Sequence, residues 1–240
     1  MRDNNYEIVS NNQIAEGTYL LTLRGDISEV DHPGLFINIK IDGCFLRRPM
    51  SVAGIRDGNM LIVYKVVGKG TEKLSKFTPG EFITALCPLG NGYNMEDIPE
   101  GAVITGGGAG VVPMYFLAEE LVNSDKNPKV ILGFNTKSDI IFQNEFESLG
   151  VELSIMTMDG SYGKKGFVTD IIEADDYVCA CGPEPMLKAL AKKISKGQYD
   201  LSARMACGFG ACMGCTVITK DGPKRVCKEG PVFSAQEAIW

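Results

Sequence analysis

Histidine is almost absent: His32 is the only one in 240 residues. General-base catalysis and protein metal sites draw heavily on imidazole, and a Rieske iron–sulfur centre needs two. Chemistry in this chain must therefore come from bound cofactors. Long hydrophobic runs are also missing. No stretch of about 18 apolar residues occurs, so no membrane span is expected. The polar start, Met1–Ser10, lacks the apolar core of a secretory signal. Positive charge is in deficit, with 24 Lys and Arg against 30 Asp and Glu and a net charge of −6. That excludes a general nucleic-acid binder, whose surface must neutralise phosphates.

What is present reads as an ordinary globular protein, 45% hydrophobic and 22% charged, long enough for two domains of ordinary size or one large one. The expected compartment is the cytosol. Eight cysteines there point to metal or redox chemistry rather than disulfides.

The first hundred residues read as short strands at Tyr6–Val9, Thr18–Leu23, Phe36–Ile41, Met60–Val67 and Glu81–Leu86. Turn signals at Arg56-Asp57-Gly58-Asn59 and Thr78-Pro79-Gly80 separate them, and one helix is expected over Thr71–Lys76. Such spacing predicts a small antiparallel β-barrel over residues 1–98. The pattern changes near Asp97–Gly101. Over 99–200, apolar strands (Ala102–Thr105, Lys129–Phe134, Val151–Thr157, Tyr177–Ala180) alternate with helical stretches at 111–123, 141–149, 167–173 and 185–196, predicting a parallel-sheet α/β domain. Residues 201–240 form a Gly- and Cys-rich third module.

Within it Cys207, Cys212 and Cys215 stand in a C-x4-C-x2-C run and Cys227 follows, the plant-type [2Fe–2S] spacing. Gly208, Gly210 and Gly214 give the loop the freedom to wrap a cluster closely. A structural zinc site is the alternative, although zinc ribbons usually pair two C-x2-C knuckles and here Cys227 stands alone. Cys44 and Cys87 read as buried core thiols.

Strand 102–105 runs into Gly106-Gly107-Gly108-Ala109-Gly110, and Pro113 sits in the first turn of the next helix. A strand, a glycine turn and a helix start make a phosphate cradle, although a plain tight turn reads the same way. After the fourth strand comes Cys181-Gly182-Pro183, at the strand end where ligands of parallel sheets bind. This turn resembles the ferredoxin–NAD(P) reductase superfamily, whose cysteine lies beside the nicotinamide. The resemblance makes Cys181 a catalytic candidate. In the same superfamily an R-x-Y-S/T strand binds flavin. Arg48-Pro49-Met50-Ser51 matches it, with Arg48 on the pyrophosphate, Ser51 at the reactive edge of the flavin, and Met50 in place of the tyrosine. Tyr64-Lys65 and then Gly68-Lys69-Gly70-Thr71 lead into the short helix, a second phosphate-binding helix start.

A hydride carries two electrons and a [2Fe–2S] cluster accepts one, so FAD between NAD and the cluster is chemically coherent. The order of the three parts, with Val67–Thr71, Ala206–Cys215 and Cys227–Phe233, resembles the electron-transfer subunit of NAD-dependent, B-type dihydroorotate dehydrogenase. That family implies an FMN-containing catalytic partner in a heterotetramer, passing electrons through the cluster and FAD to NAD in pyrimidine biosynthesis. Rival readings are the small subunit of a ferredoxin–NADP oxidoreductase or of sulfide dehydrogenase, or a zinc-stabilised nucleotide-binding scaffold. An oxygenase reductase would need a complete ferredoxin domain. Asp139 beyond the second nucleotide-domain strand disfavours a 2′-phosphate while Lys137 favours it, which leaves NAD against NADP open. Met205, Phe209 and Met213 are expected near the partner interface.

Overall fold

The computed structural model describes residues 2–237. Six strands, β1 (Arg2–Ala15), β2 (Thr18–Arg24), β3 (Phe36–Ile39), β4 (Arg48–Arg56), β5 (Asn59–Lys65) and β6 (Phe82–Leu89), close an antiparallel barrel in the order β1-β2-β5-β4-β3-β6. Ile8, Leu21, Leu23, Ile37, Ile39, Val52, Ile62 and Ala85 fill its interior, and closure leaves no free edge. Asp57 and Gly58 take positive φ (51° and 71°), as a two-residue hairpin loop requires. Pattern alone finds five of these strands. β4 is hidden because a register shift between Val52 and Gly54 breaks its alternation. The short helix α1 spans Lys69–Leu74, two residues earlier than expected.

The second part contains β7 (Val103–Gly107), α2 (Val111–Asn123), β8 (Lys129–Phe134), α3 (Gln143–Ser148), β9 (Glu152–Thr157), β10 (Lys164–Lys165), β11 (Tyr177–Cys181), α4 (Glu184–Lys193) and β12 (Lys196–Asp200). The third contributes the hairpin β13 (Thr216–Thr219) with β14 (Gly222–Arg225), and then β15 (Val232–Ser234). β15 leaves the cysteine module and pairs antiparallel with β12, so the sheet runs β10-β9-β8-β7-β11-β12-β15.

Three expectations need correction. The helix over 167–173 is a single 3-10 turn, Val168–Asp170, because the Asp170 carboxylate accepts from the Phe167 N–H (2.8 Å) and closes the turn locally. The helix expected to 196 stops at Lys193, and the following residues run as β12. Cys44 is half-buried at the rim of the barrel core; of these two, Cys87 alone is a fully buried core thiol.

The parts share their cores. Phe116 of α2 packs into the barrel interior, while Ala53, Leu61 and Val63 of β4 and β5 pack among the α2 side chains. A second cluster joins Phe36 and Leu89 of the barrel, Val103 and Val178 of the sheet, and Cys215, Val226, Cys227 and Phe233 of the cysteine module. Burying one aromatic such as Phe116 or Phe36 contributes about 2 kcal/mol. These contacts hold the ends of β4, β7 and β11 and the cysteine loops against one another.

Candidate functional site

Two cavities lie side by side where the barrel meets the parallel sheet. The first, about 810 Å³, is lined by Arg48–Ser51 of β4, by Tyr64, Lys65, Val67 and Thr71, by the Cys181–Pro183 turn, and by Val217 and Ile218 of the hairpin. The second, about 960 Å³, is lined by Gly107 and Gly108, by Phe134, Asn135, Ser138 and Asp139 beyond β8, and by Met158, Phe167 and Pro183. They share Val63–Lys65, Gly107, Ala109, Val112 and Pro183 as a common wall. Each volume lies within the usual range for cofactor sites.

In the first cavity Arg48 packs on α1 at Gly70, where a Cβ would collide with its guanidinium. One guanidinium nitrogen donates to the Leu46 carbonyl (2.5 Å), and the fork stays beside the first turn of α1. A guanidinium with helix-start N–H groups is a fitting cradle for a pyrophosphate. Arg47 is committed elsewhere, in a two-pronged ion pair with Asp3 (2.7 and 3.0 Å). The Thr71 hydroxyl is spent on its own turn, accepting from the Val67 and Gly68 N–H groups and donating to the Gly68 carbonyl. Thr71 therefore shapes the cradle and offers a wall rather than a donor. Among the described residues the Ser51 hydroxyl has no hydrogen-bond partner, and Ser51 lines the cavity. Met50 brings no flat ring. Tyr64 does not replace it: its hydroxyl donates to Asn11 (2.9 Å) and its ring stacks on Tyr19. The cavity volume, the Ser51 hydroxyl and the Arg48 cradle fit an FAD.

The glycine turn is tight for packing reasons as well as for phosphate. A Cβ at Gly110 would collide with the Cys181 carbonyl, and one at Gly107 would lie 2.6 Å from the Met186 sulfur. Gly106 lines neither cavity; it is sealed beneath the turn, with Val111 Cα 2.7 Å from its Cβ position. Gly108, with φ of 54° and open space around it, faces the second cavity beside Gly107. A nicotinamide dinucleotide fits a chain that crosses both strand ends here.

Cys181 is 4% exposed and lies beside the Asp200 carboxyl, its register partner on β12. Burial pushes the thiol well above its ordinary range, and the neighbouring carboxyl adds to the effect. It is thus a neutral thiol at the wall of the first cavity. Asp200, 5% exposed, is raised to about 7 by burial, with the Cys181 thiol opposing.

The four cysteines lie in the module whose hairpin residues Val217 and Ile218 line the first cavity. Among the described residues no three His, Cys, Asp or Glu side chains converge as a single metal ion requires. The thiols instead form two pairs, Cys207 with Cys212 and Cys215 with Cys227. Two thiolates for each of two irons is the arrangement of a [2Fe–2S] cluster, and this pairing fits that group. Backbone N–H groups point at the sulfurs: Ala211 at Cys207 (3.3 Å), Gly214 at Cys212 (3.4 Å) and Cys227 at Cys215 (3.4 Å). Burial opposes ionisation of Cys207, but the N–H groups of Phe209, Cys212 and Ala211 outweigh it and bring the thiol to about 6. Arg225 stitches the two cysteine segments together, donating to the Gly210 carbonyl (2.5 Å) and pairing with Glu229.

Comparison with known proteins agrees part by part. Residues 104–192 match the oxidoreductase NAD-binding domain. Residues 202–239 match the iron-sulfur cluster binding domain of dihydroorotate dehydrogenase B. The electron transfer subunit of dihydroorotate dehydrogenase B (NAD(+)) from Geobacillus thermodenitrificans is 42% identical over 97% of this chain and 96% of its own length. That from Fusobacterium nucleatum is 40% identical over 96% of each. The chain belongs to this family of electron transfer subunits.

As a member of the dihydroorotate dehydrogenase B family it is an oxidoreductase subunit, and a subunit named for electron transfer works with a catalytic partner. A solved NADH-dependent reduced ferredoxin–NADP oxidoreductase, described for flavin-based electron bifurcation, superposes with a TM-score of 0.87 at 31% identity, covering 98% of this chain and 90% of that one. The Amycolatopsis cytochrome P450 reductase GcoB shares the fold at 21% identity with a TM-score of 0.68, covering 80% of this chain and 65% of that one. Three residues near this family site escaped the sequence reading. Asp200 and Tyr93 lie under Cys181, and Asn38 lies under Cys207. They come from segments distant in sequence, so no local motif announces them.

Proposed function

We propose that the chain conducts electrons between a nicotinamide, FAD and a four-cysteine [2Fe–2S] cluster. They arrive from an FMN-containing dihydroorotate dehydrogenase subunit and leave on NAD, within pyrimidine biosynthesis. One observation carries the reading. A single cavity is bounded at once by the β4 strand, the Cys181–Pro183 turn and the cluster-side hairpin, and it shares a wall with the dinucleotide cavity.

Bound FAD supplies the exchange between two-electron nicotinamide chemistry and one-electron cluster chemistry. The chain's residues position and insulate. Arg48 and the α1 start bind the pyrophosphate, and Pro49, Met50 and Val67 wall the flavin. Ser51 offers its hydroxyl to the reactive edge. Gly107, Gly108 and Gly110 let the dinucleotide approach, with Gly182 and Pro183 opposite. Cys181, held neutral against Asp200, packs where the nicotinamide meets the flavin without adding a charge. Cys207, Cys212, Cys215 and Cys227 ligate the irons, and the surrounding N–H groups stabilise the charge on sulfur.

Cys212 is exposed, with Phe209 and Met213 exposed beside it. That supports a cluster close to a surface on which a partner can dock, in a two-plus-two heterotetramer. None of the eight cysteines is in a disulfide, which suits a reducing cytoplasm. The likeness to the ferredoxin–NADP oxidoreductase structure supports a second reading, in which ferredoxin replaces the dihydroorotate enzyme.

The test is to co-express the chain with an FMN-containing dihydroorotate dehydrogenase from the same source and to assay dihydroorotate-dependent NAD reduction. Activity lost in Cys212→Ser supports the reading. A flavin- and iron-loaded chain that neither binds that subunit nor supports the reaction moves the assignment to the ferredoxin relatives.

A further inference from the structure

Asn38 lies in the middle of β3, is 1% exposed, and reaches across 169 residues of sequence. Its Nδ2 donates to the backbone carbonyl of Cys207 at 2.9 Å. The fit is close: Gly208 takes a φ of 78°, and a Cβ there would collide with the Asn38 amide. On the other side Asn38 pairs in register with Pro49 of β4, which lines the first cavity. Directly opposed residues in an antiparallel pair share a face. One side chain thus touches the loop of the first cluster cysteine and stands beside the strand against which the flavin lies.

The amide is only half satisfied. Among the described residues its Oδ1 is buried without a hydrogen-bond donor. Burying an unpaired acceptor costs about 1–3 kcal/mol. A leucine of similar shape would avoid that cost, so ordinary packing does not account for an asparagine here. The donor end does.

We propose that Asn38 is a positioning residue that fixes the first cluster cysteine against the flavin strand and so sets the separation across which electrons pass. The inference rests on the proposed cluster and flavin sites. Electron transfer between two centres falls steeply with their separation. One strap between the strand and the loop therefore governs the flavin–cluster step and leaves the nicotinamide–flavin step alone. Among the described residues the Asn38 side chain makes its one hydrogen bond to the Cys207 carbonyl, not to Arg48 or the Cys181–Pro183 turn.

The test compares the full-length, cofactor-loaded chain with Asn38→Leu, which keeps the bulk and removes the donor. Gly208→Ala serves as a second variant, keeping Asn38 but pushing its amide off the carbonyl. Three quantities are read anaerobically: flavin reduction by NADH, the subsequent appearance of reduced cluster, and the electron paramagnetic resonance spectrum of that cluster. Outer partners of metal ligands typically matter about 10- to 100-fold. Cluster reduction should slow at least about tenfold, with an altered spectrum and flavin reduction within about twofold of the parent. Loss of the cluster from an Asn38→Leu chain that keeps its flavin also supports the strap. Parent-like cluster reduction and spectrum in both variants overturn it. A parent chain holding flavin but no iron overturns the cluster assignment itself and is seen before any variant is made.

Discussion

Replacing Asp200 by asparagine should make the protein's stability less dependent on pH, and the size of the change follows from burial. Asp200 is 5% exposed, and the groups that face it are the Cys181 thiol and Tyr93, neither of them a cation. Its carboxyl is raised from 3.8 to about 7, chiefly by burial. The folded protein thus keeps this proton up to about pH 7, whereas the unfolded chain releases it near pH 4. Between those values the folded state binds more protons, so stability falls as pH rises and stays lowered above the window. At about 1.4 kcal/mol per unit the ceiling on this loss is about 4 kcal/mol. About 2.5 kcal/mol of it develops between pH 5 and pH 8. An asparagine at this position cannot ionise, so scanning calorimetry of the cofactor-loaded protein should show the Asp200→Asn variant gaining on the parent by roughly 5–10 °C over that range. Two melting curves that shift in parallel with pH would refute the reasoning, because Asp200 would then titrate as an ordinary carboxyl.

Further predictions follow from individual contacts. Arg48→Ala should weaken FAD retention roughly 10- to 100-fold, and Arg48→Lys should recover only part of it, since a point charge replaces a fork; flavin release on dilution measures this. Gly110→Ala forces a Cβ into the Cys181 carbonyl and should part the two strand-end turns. The expected result is a cost of about 1–3 kcal/mol in stability and slower flavin reduction by NADH, with the cluster spectrum unchanged. The dinucleotide cavity carries Ser138 and Asp139 beyond β8, while Lys137 lies with its ammonium 5.7 Å from the centre of the Tyr162 ring. NADH should therefore be preferred to NADPH by about tenfold or more in kcat/KM, and Asp139→Asn should narrow the gap.

The parts most legible in the sequence are those whose chemistry is local. Cys207, Cys212 and Cys215, the proposed cluster ligands, fall within nine residues, and their spacing alone carries that reading. The glycine turn after β7 and Cys181-Gly182-Pro183 after β11 are likewise set by one strand end each. What escaped is held by distant partners. β1 runs for 14 residues, although much of it is asparagine and charge, because β2 and β6 supply hydrogen bonds on both sides. β12, Lys-Gly-Gln-Tyr-Asp, carries no apolar run and is given no strand by the sequence, yet it sits between β11 and β15 with Tyr199 and Asp200 buried. Gly107 and Gly110 look like pure phosphate ligands in sequence. Only the packed turns show that they also make room for Met186 and Cys181. Asn38 has no local pattern at all.

The central claim is that electrons from a nicotinamide reach a two-iron cluster through this one chain. The most direct test is an anaerobic NADH titration of the purified chain, followed by flavin absorbance and by electron paramagnetic resonance. The account predicts about two irons and one FAD per chain. Flavin bleaching should be followed by the signal of a one-electron-reduced [2Fe–2S] centre, and Cys181→Ala should slow both. A chain that binds zinc in place of iron, or whose cluster stays oxidised while its flavin is fully reduced, would contradict it.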